Sequence, residues 1–209
     1  MKTSIFQKLS ALIFVLFTLL LSGIGQARAD DTVFIGLKIK AGGRYDDVRM
    51  CVASPKGSKG GPAMDVTFYA ELPVADKLSI GIDIPVFRPV MFGAAFEMLQ
   101  FEPEVSFLFR VSQGDKRDVV IGPTLGGSFH YGPDYRSGRS GDERGSSFFA
   151  AGPRIGAVVA LDFKRPEKAF DFQLGLNPYV TPMLSGDGDD TYKGIVVGGS
   201  LDGTFKFAP

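Results

Sequence analysis

The sequence predicts an all-β protein, its strands closing into an eight-stranded antiparallel up-and-down barrel. Two observations carry that reading. Segment after segment alternates apolar with polar residues at a period of two, the pattern of a strand whose two faces meet different media. The 209 residues also include 27 glycines and 19 phenylalanines but no tryptophan, and hardly any stretch has helical periodicity. Glycine then supplies turns and close-packed interior positions. The clearest run is the last, Tyr192 to Phe207, with Ile195, Val197, Leu201, Phe205 and Phe207 on one face and Ser200, Asp202, Thr204 and Lys206 on the other.

Before the first strand, Lys2 and Lys8 precede an apolar core from Ala11 to Leu21, followed by Ala27-Arg28-Ala29. A basic start, a short apolar run and a small-x-small site form a secretory signal peptide. The apolar run is shorter than the ~20 residues a spanning helix needs. Cleavage after Ala29 is therefore expected, giving a signal peptide over 1–29 and one domain over 30–209. Lys2, Lys8 and Arg28 leave with that segment, so 20 basic side chains face 23 acidic ones, a net of −3. Nucleic-acid binding, which needs a basic excess, is not expected. The single cysteine, Cys51, cannot form an internal disulfide and reads as an unpaired loop residue.

The first strand alternates Val33, Ile35, Leu37 and Ile39 with Gly36, Lys38, Lys40 and Gly42. The second sets Met64, Val66, Phe68, Ala70 and Leu72 against Asp65, Thr67, Tyr69 and Glu71. The third sets Leu78, Ile80, Ile82 and Ile84 against Ser79, Gly81 and Asp83. The fourth carries Leu99, Phe101, Val105, Phe107, Phe109 and Val111 opposite Glu102, Glu104, Ser106 and Arg110, with Leu108 breaking its polar side. The fifth opposes Val119, Ile121, Leu125, Phe129 and Tyr131 to Asp118, Thr124, Ser128 and His130. The sixth opposes Phe149, Ile155, Ala157, Val159, Leu161 and Phe163 to Arg154, Gly156, Ala160 and Asp162. The seventh opposes Phe170, Phe172, Leu174, Leu176 and Val180 to Asp171, Gln173, Asn177 and Thr181. With the C-terminal strand there are eight.

The connections alternate in character. Links after strands two, four and six are short: Pro73 to Lys77, Gln113 to Arg117 and Lys164 to Ala169. Those after strands one, five and seven are polar and glycine-rich, notably Arg44 to Pro62 and Gly132 to Ser146. This parity belongs to a membrane barrel entered from the periplasm. The link after strand three, Arg88 to Ala95, is apolar instead, and Phe92 to Leu99 is expected to form a short interfacial helical turn.

Side-chain volume decides which face is outside. An eight-stranded barrel has an interior just wide enough to be filled by side chains. The apolar rows are too bulky for it, while the opposite rows of Gly, Ser, Thr and charges fit. The apolar face should therefore meet hydrocarbon, with aromatics gathered near both strand ends as girdles. On this pattern the chain resembles the small eight-stranded outer-membrane barrels of Gram-negative bacteria, the OmpA-transmembrane-domain and OmpX type. Members of that group usually end on an aromatic residue with apolar residues at alternate positions before it. Phe207, Phe205 and Leu201 match, although Ala208 and Pro209 follow. The resemblance implies an outer-membrane location among lipids and lipopolysaccharide, and handling by the barrel-assembly machinery.

The polar rows collect Lys38, Lys40, Asp65 and Glu71 from the first two strands, then Asp83, Glu102, Glu104 and Arg110 from the next two. Asp118, Arg154, Asp162, Asp171, Asp202 and Lys206 follow from the rest. Charges in so narrow a space need partners, so an interior network of ion pairs and hydrogen bonds is expected, plugging the lumen. A cation-lined conduit is the alternative use of the same residues. Ser128 and His130 share a face near the loop that holds Asp142 and Glu143, a constellation that an acyl-transferring serine would need. Lipid A deacylases of this shape instead place histidine before serine and turn both toward lipid. Asp187, Asp189 and Asp190 read as a solvated turn, since no later bidentate glutamate completes a calcium loop. No metal site, cofactor or catalytic residue is expected. The functional expectation is a monomeric, non-enzymatic outer-membrane barrel whose loops serve adhesion, ligand contact or envelope integrity, with an unspecified external partner. A lipid A-modifying barrel enzyme and a soluble lipocalin-like periplasmic barrel are the alternatives.

Overall fold

The computed structural model describes residues 32–46, 60–94, 98–133, 147–164, 170–187 and 190–208. The expected signal peptide, Cys51, Asp142, Glu143 and Asp189 lie outside them. Nine strands and one short helix follow in chain order: β1 (Phe34–Asp46), β2 (Gly61–Ala75), β3 (Leu78–Pro85), α1 (Phe87–Gly93), β4 (Leu99–Phe101), β5 (Glu104–Gln113), β6 (Arg117–Pro133), β7 (Ser147–Phe163), β8 (Asp171–Asp187) and β9 (Asp190–Phe207). Every pairing is antiparallel, and β9 closes on β1 to make a ring.

The sequence led to eight strands; the difference lies at Glu102-Pro103. Leu99 faces Tyr131, Phe101 faces Phe129 and Glu104 faces Gly126, so β4 and β5 hold a single register on β6. Pro103 has no N–H for a ladder, but its carbonyl accepts a hydrogen bond from Gly127 N at 3.1 Å. The inside-outside alternation runs through the break without slipping.

Following paired residues round the ring from Ile35 leads through Ala70, Ile82, Val105, Leu125, Ile155, Val180 and Val197 to Tyr45 on the starting strand. The offset from Ile35 to Tyr45 is ten residues. With ~3.3 Å per residue and ~4.8 Å between strands, that shear tilts the strands by about 40°. So small a ring bends its wall sharply, and inward glycines make this possible. A Cβ at Gly122 would overlap the Phe107 carbonyl oxygen, and one at Gly36 the Phe205 carbonyl oxygen.

Two links differ from expectation. α1 occupies Phe87–Gly93, earlier than the Phe92 to Leu99 turn the sequence suggested, because Arg88 is drawn inward as a buried anchor. The link after the seventh expected strand is not long: β8 and β9 pair as far as Asp187 with Asp190, leaving two residues between them. β1 likewise runs on to Asp46, taking Arg44 out of the expected loop.

The outer wall exposes Ile35, Phe68, Ile84, Leu125, Val159, Leu176 and Leu201, among many others, on all sides of the ring. Among the described residues the outward rows of the strands carry two charged side chains, Arg117 and Lys193, at opposite ends of the wall. Along β6 the uncharged row from Val119 to Tyr131 rises about 30 Å at that tilt. Phenylalanines cluster at the short-turn end, where the Phe172 ring lies 5.3 Å from Phe205 and 6.2 Å from Phe163. Phe92 meets Tyr131 at the opposite end, 5.9 Å apart.

Candidate functional site in the barrel interior

Inward positions of the strands carry the polar rows, and the narrow ring brings residues distant in sequence into contact. The charged side chains fall into three linked groups.

At the short-turn end, Lys206 Nζ lies 2.6 Å from Asp162 Oδ2 and 3.2 Å from Glu71 Oε2. Arg110 reaches the other Glu71 oxygen at 3.0 Å and Asp118 at 3.8 Å. The Tyr69 hydroxyl donates to Glu71 Oε2 at 3.0 Å. Lys164 closes this end on Asp118 at 2.9 Å, from a half-exposed position. Next along β5, β6 and β7 comes an apolar patch of Leu108, Val120, Val158 and Ala160. Leu108, the residue that interrupts the polar alternation, is thus an interior packing residue.

In the middle, Lys38 pairs with Asp83 at 2.8 Å and Lys40 lies between Asp83 and Glu104, 3.5 and 3.2 Å away. Glu104 also receives Arg154 Nε at 3.0 Å and Asn177 Nδ2 at 2.6 Å. The Arg154 guanidinium stacks on the Tyr179 ring, 3.3 Å from its centroid.

At the long-loop end, Glu102 is the hub. Its carboxylate meets Arg44 at 3.0 Å, Arg154 at 3.1 Å and Arg88 at 3.7 Å, and accepts the Ser128 hydroxyl at 2.9 Å. Arg88 donates to Gln100 Oε1 at 2.6 Å and lies 3.5 Å from Asp65. Arg88 thus anchors α1 against β2 and β4.

Of the fourteen residues expected in the network, the structure buries Lys38, Lys40, Asp65, Glu71, Asp83, Glu102, Glu104, Asp118, Arg154, Asp162, Asp202 and Lys206. Arg110 and Asp171 sit at intermediate depth, the latter paired across the ladder with Lys206. Asp202 accepts from Ser200 at 2.5 Å and has no ion pair within 4 Å among the described residues. Sequence reasoning missed Arg44, Asp46 and Arg88. Arg44 and Asp46 continue the even-numbered row of Lys38 and Lys40, a signal hidden by the glycines at 42 and 43. Arg88 had no such signal, since its direction comes from a helix.

Ser128 and His130 come together, with Oγ 3.1 Å from Nε2, but the imidazole meets Asp46 at 3.7 Å. The serine proton is directed to Glu102, and both side chains are fully buried. A serine nucleophile needs space for a reacting carbonyl about 3 Å away. Ser128 is instead enclosed, and the pair bridges β6, β1 and the Glu102 segment. Among the described residues no group of His, Cys, Asp and Glu is arranged to hold a metal ion.

One interior cavity, between Lys40, Asp65, Thr67, Arg88, Glu102 and Arg154, measures about 30 Å³. That accommodates one or two waters. The arrangement can hold charge and order strands. No protein-family model matches the chain, and no curated protein does either.

Proposed function

We propose that this protein is a small outer-membrane β-barrel of eight staves, β4 and β5 counting as one. It is non-enzymatic, with its interior plugged by the ion-pair network and its outer loops available for adhesion, ligand contact or envelope integrity. One observation carries the reading: large apolar side chains are exposed all round a wall that, among the described residues, has no charge between its ends, while most of the charges are inside. A water-soluble lipocalin-like barrel would have the reverse arrangement. Monomeric exposed apolar patches of soluble proteins rarely exceed a few hundred Å², whereas this one encircles the molecule.

The buried, carboxylate-bonded Ser128 argues against the lipid A-modifying alternative. The small cavity argues against a conduit. Lipids and lipopolysaccharide are the partners this wall fits.

Cell fractionation with gel electrophoresis of unheated and boiled samples tests the reading. Recovery in the outer membrane, extraction only by detergent, and faster migration before boiling are expected. A protein released without detergent from the periplasm would overturn it.

A further inference from the structure

The register between β5 and β6 shifts near the short-turn end. Pairing passes from Arg110 with Val120 to Ser112 with Val119, so Val111 is an extra residue on β5. A bulge of this kind moves the side chains beyond it to the other face. Ser112 would otherwise continue the inward row of Arg110; it stands instead on the outer wall, level with Val119 and that residue's partner Leu161. Here the wall is concave. Ser112, Asp115, Lys116, Arg117, Val119 and Leu161 line an open groove of about 550 Å³, with Val119 and Leu161 as its apolar floor and the charged residues at the turn.

The outward row at this level runs through Phe205, Phe172 and Phe163 on β9, β8 and β7, and its next member on β6 is Arg117. A guanidinium thus takes the place of a girdle aromatic, one step beyond the first uncharged residues. Among the described residues neither Lys116 nor Arg117 forms an ion pair, although Lys164, whose backbone N–H donates to the Lys116 carbonyl, is held by Asp118 at 2.9 Å. The neighbouring short links 114–117 and 164–169 hold five basic and two acidic residues, whereas the link 73–77 holds one of each. The positive charge is therefore gathered beside the groove, in a chain whose net charge after residue 29 is −3.

We propose that this groove seats an anionic glycerophospholipid of the adjoining leaflet. The diester phosphate lies between Arg117 and Lys116, the Ser112 hydroxyl donates to a glycerol ester oxygen, and one acyl chain runs along Val119 and Leu161. The proposal rests on the membrane reading above, which sets Val119 and Leu161 against hydrocarbon and Arg117 at the headgroup level. Arginine meets a phosphate with paired N–H groups, and both long side chains keep their apolar stems on the wall while their charged ends reach the headgroups. The excess of cations over carboxylates favours a lipid of net negative charge over a zwitterionic one.

The test places the folded protein in phosphatidylcholine vesicles with trace spin-labelled phosphatidylglycerol or spin-labelled phosphatidylcholine, and electron paramagnetic resonance reads the fraction of each label immobilised at the protein. Phosphatidylglycerol should associate at least roughly fivefold more strongly, the effect of a single basic residue at a lipid surface. Lys116→Gln combined with Arg117→Gln should abolish that preference, while Arg117→Lys, and Lys193→Gln at the far end of the wall, should retain it. Ser112→Phe fills the groove without removing either charge and should lower the preference as well. All four positions are exposed, so the variants keep the interior contacts of the barrel. Soluble glycerophosphoglycerol in excess should not displace the label, and displacement by it would replace the membrane lipid with a free phosphodiester as the occupant. Equal association of both labels, or a preference unmoved by the double substitution or by Ser112→Phe, would overturn the site and leave the membrane reading intact. Failure of the protein to enter vesicles removes that reading itself.

Discussion

Lys206 on β9 and Glu71 on β2 meet across the lumen at 3.2 Å, with the intervening strand β1 passing behind them. The same ammonium holds Asp162 on β7 at 2.6 Å. One residue near the chain end thus ties the closing strand to both sides of the ring, and Glu71 and Asp162 depend on it for charge balance.

Lys206→Met should therefore lower stability by about 3–5 kcal/mol, the range for removing one partner of a buried pair. Urea titration of protein folded in lipid vesicles measures this. Adding Asp162→Asn should recover part of the loss, and a purely additive double mutant would show that the two side chains are not coupled.

Placing a charge on the outer wall has a different signature. Ile155→Arg and Leu174→Arg are expected to cost about 2–4 kcal/mol in a bilayer, because both are exposed on the uncharged wall. Thr124→Ser, inside, should cost less than either. Neutral behaviour of Leu174→Arg in the same refolding titration would mean that hydrocarbon does not contact this face.

The unmodified protein should carry no steady conductance in planar bilayers. Arg110→Gln leaves Glu71 and Asp118 with fewer partners, so it should reduce stability while the lumen stays closed. The Leu108, Val120, Val158 and Ala160 patch still blocks the adjoining segment. A stable ohmic current from the unmodified protein would instead favour the conduit.

Gly122→Ala should destabilise by about 1–3 kcal/mol, the usual penalty of overpacking, since its Cβ would overlap the Phe107 carbonyl and the strands would have to part. Gly93→Ala is the matched control, with nothing within 4 Å of the new methyl. Equal denaturation midpoints for the two variants would contradict the close approach at Gly122.

The sequence by itself determined the all-β class, the inside and outside rows of the strands, and most of the charged interior. Strand side chains alternate with a period of two, so Lys38, Asp83, Glu104 and Lys206 were assigned to a face without knowledge of their neighbours. Only the tertiary structure decided who meets whom. The ten-residue shear carries Glu71 to Lys206 and Lys40 to Glu104, and nothing local in the chain encodes that offset. It also decided the division at Pro103 and the inward turn of Arg88 from a helix. Each of these arises from pairing between distant strands, where register, closure and curvature are set together by the whole ring rather than by any one segment.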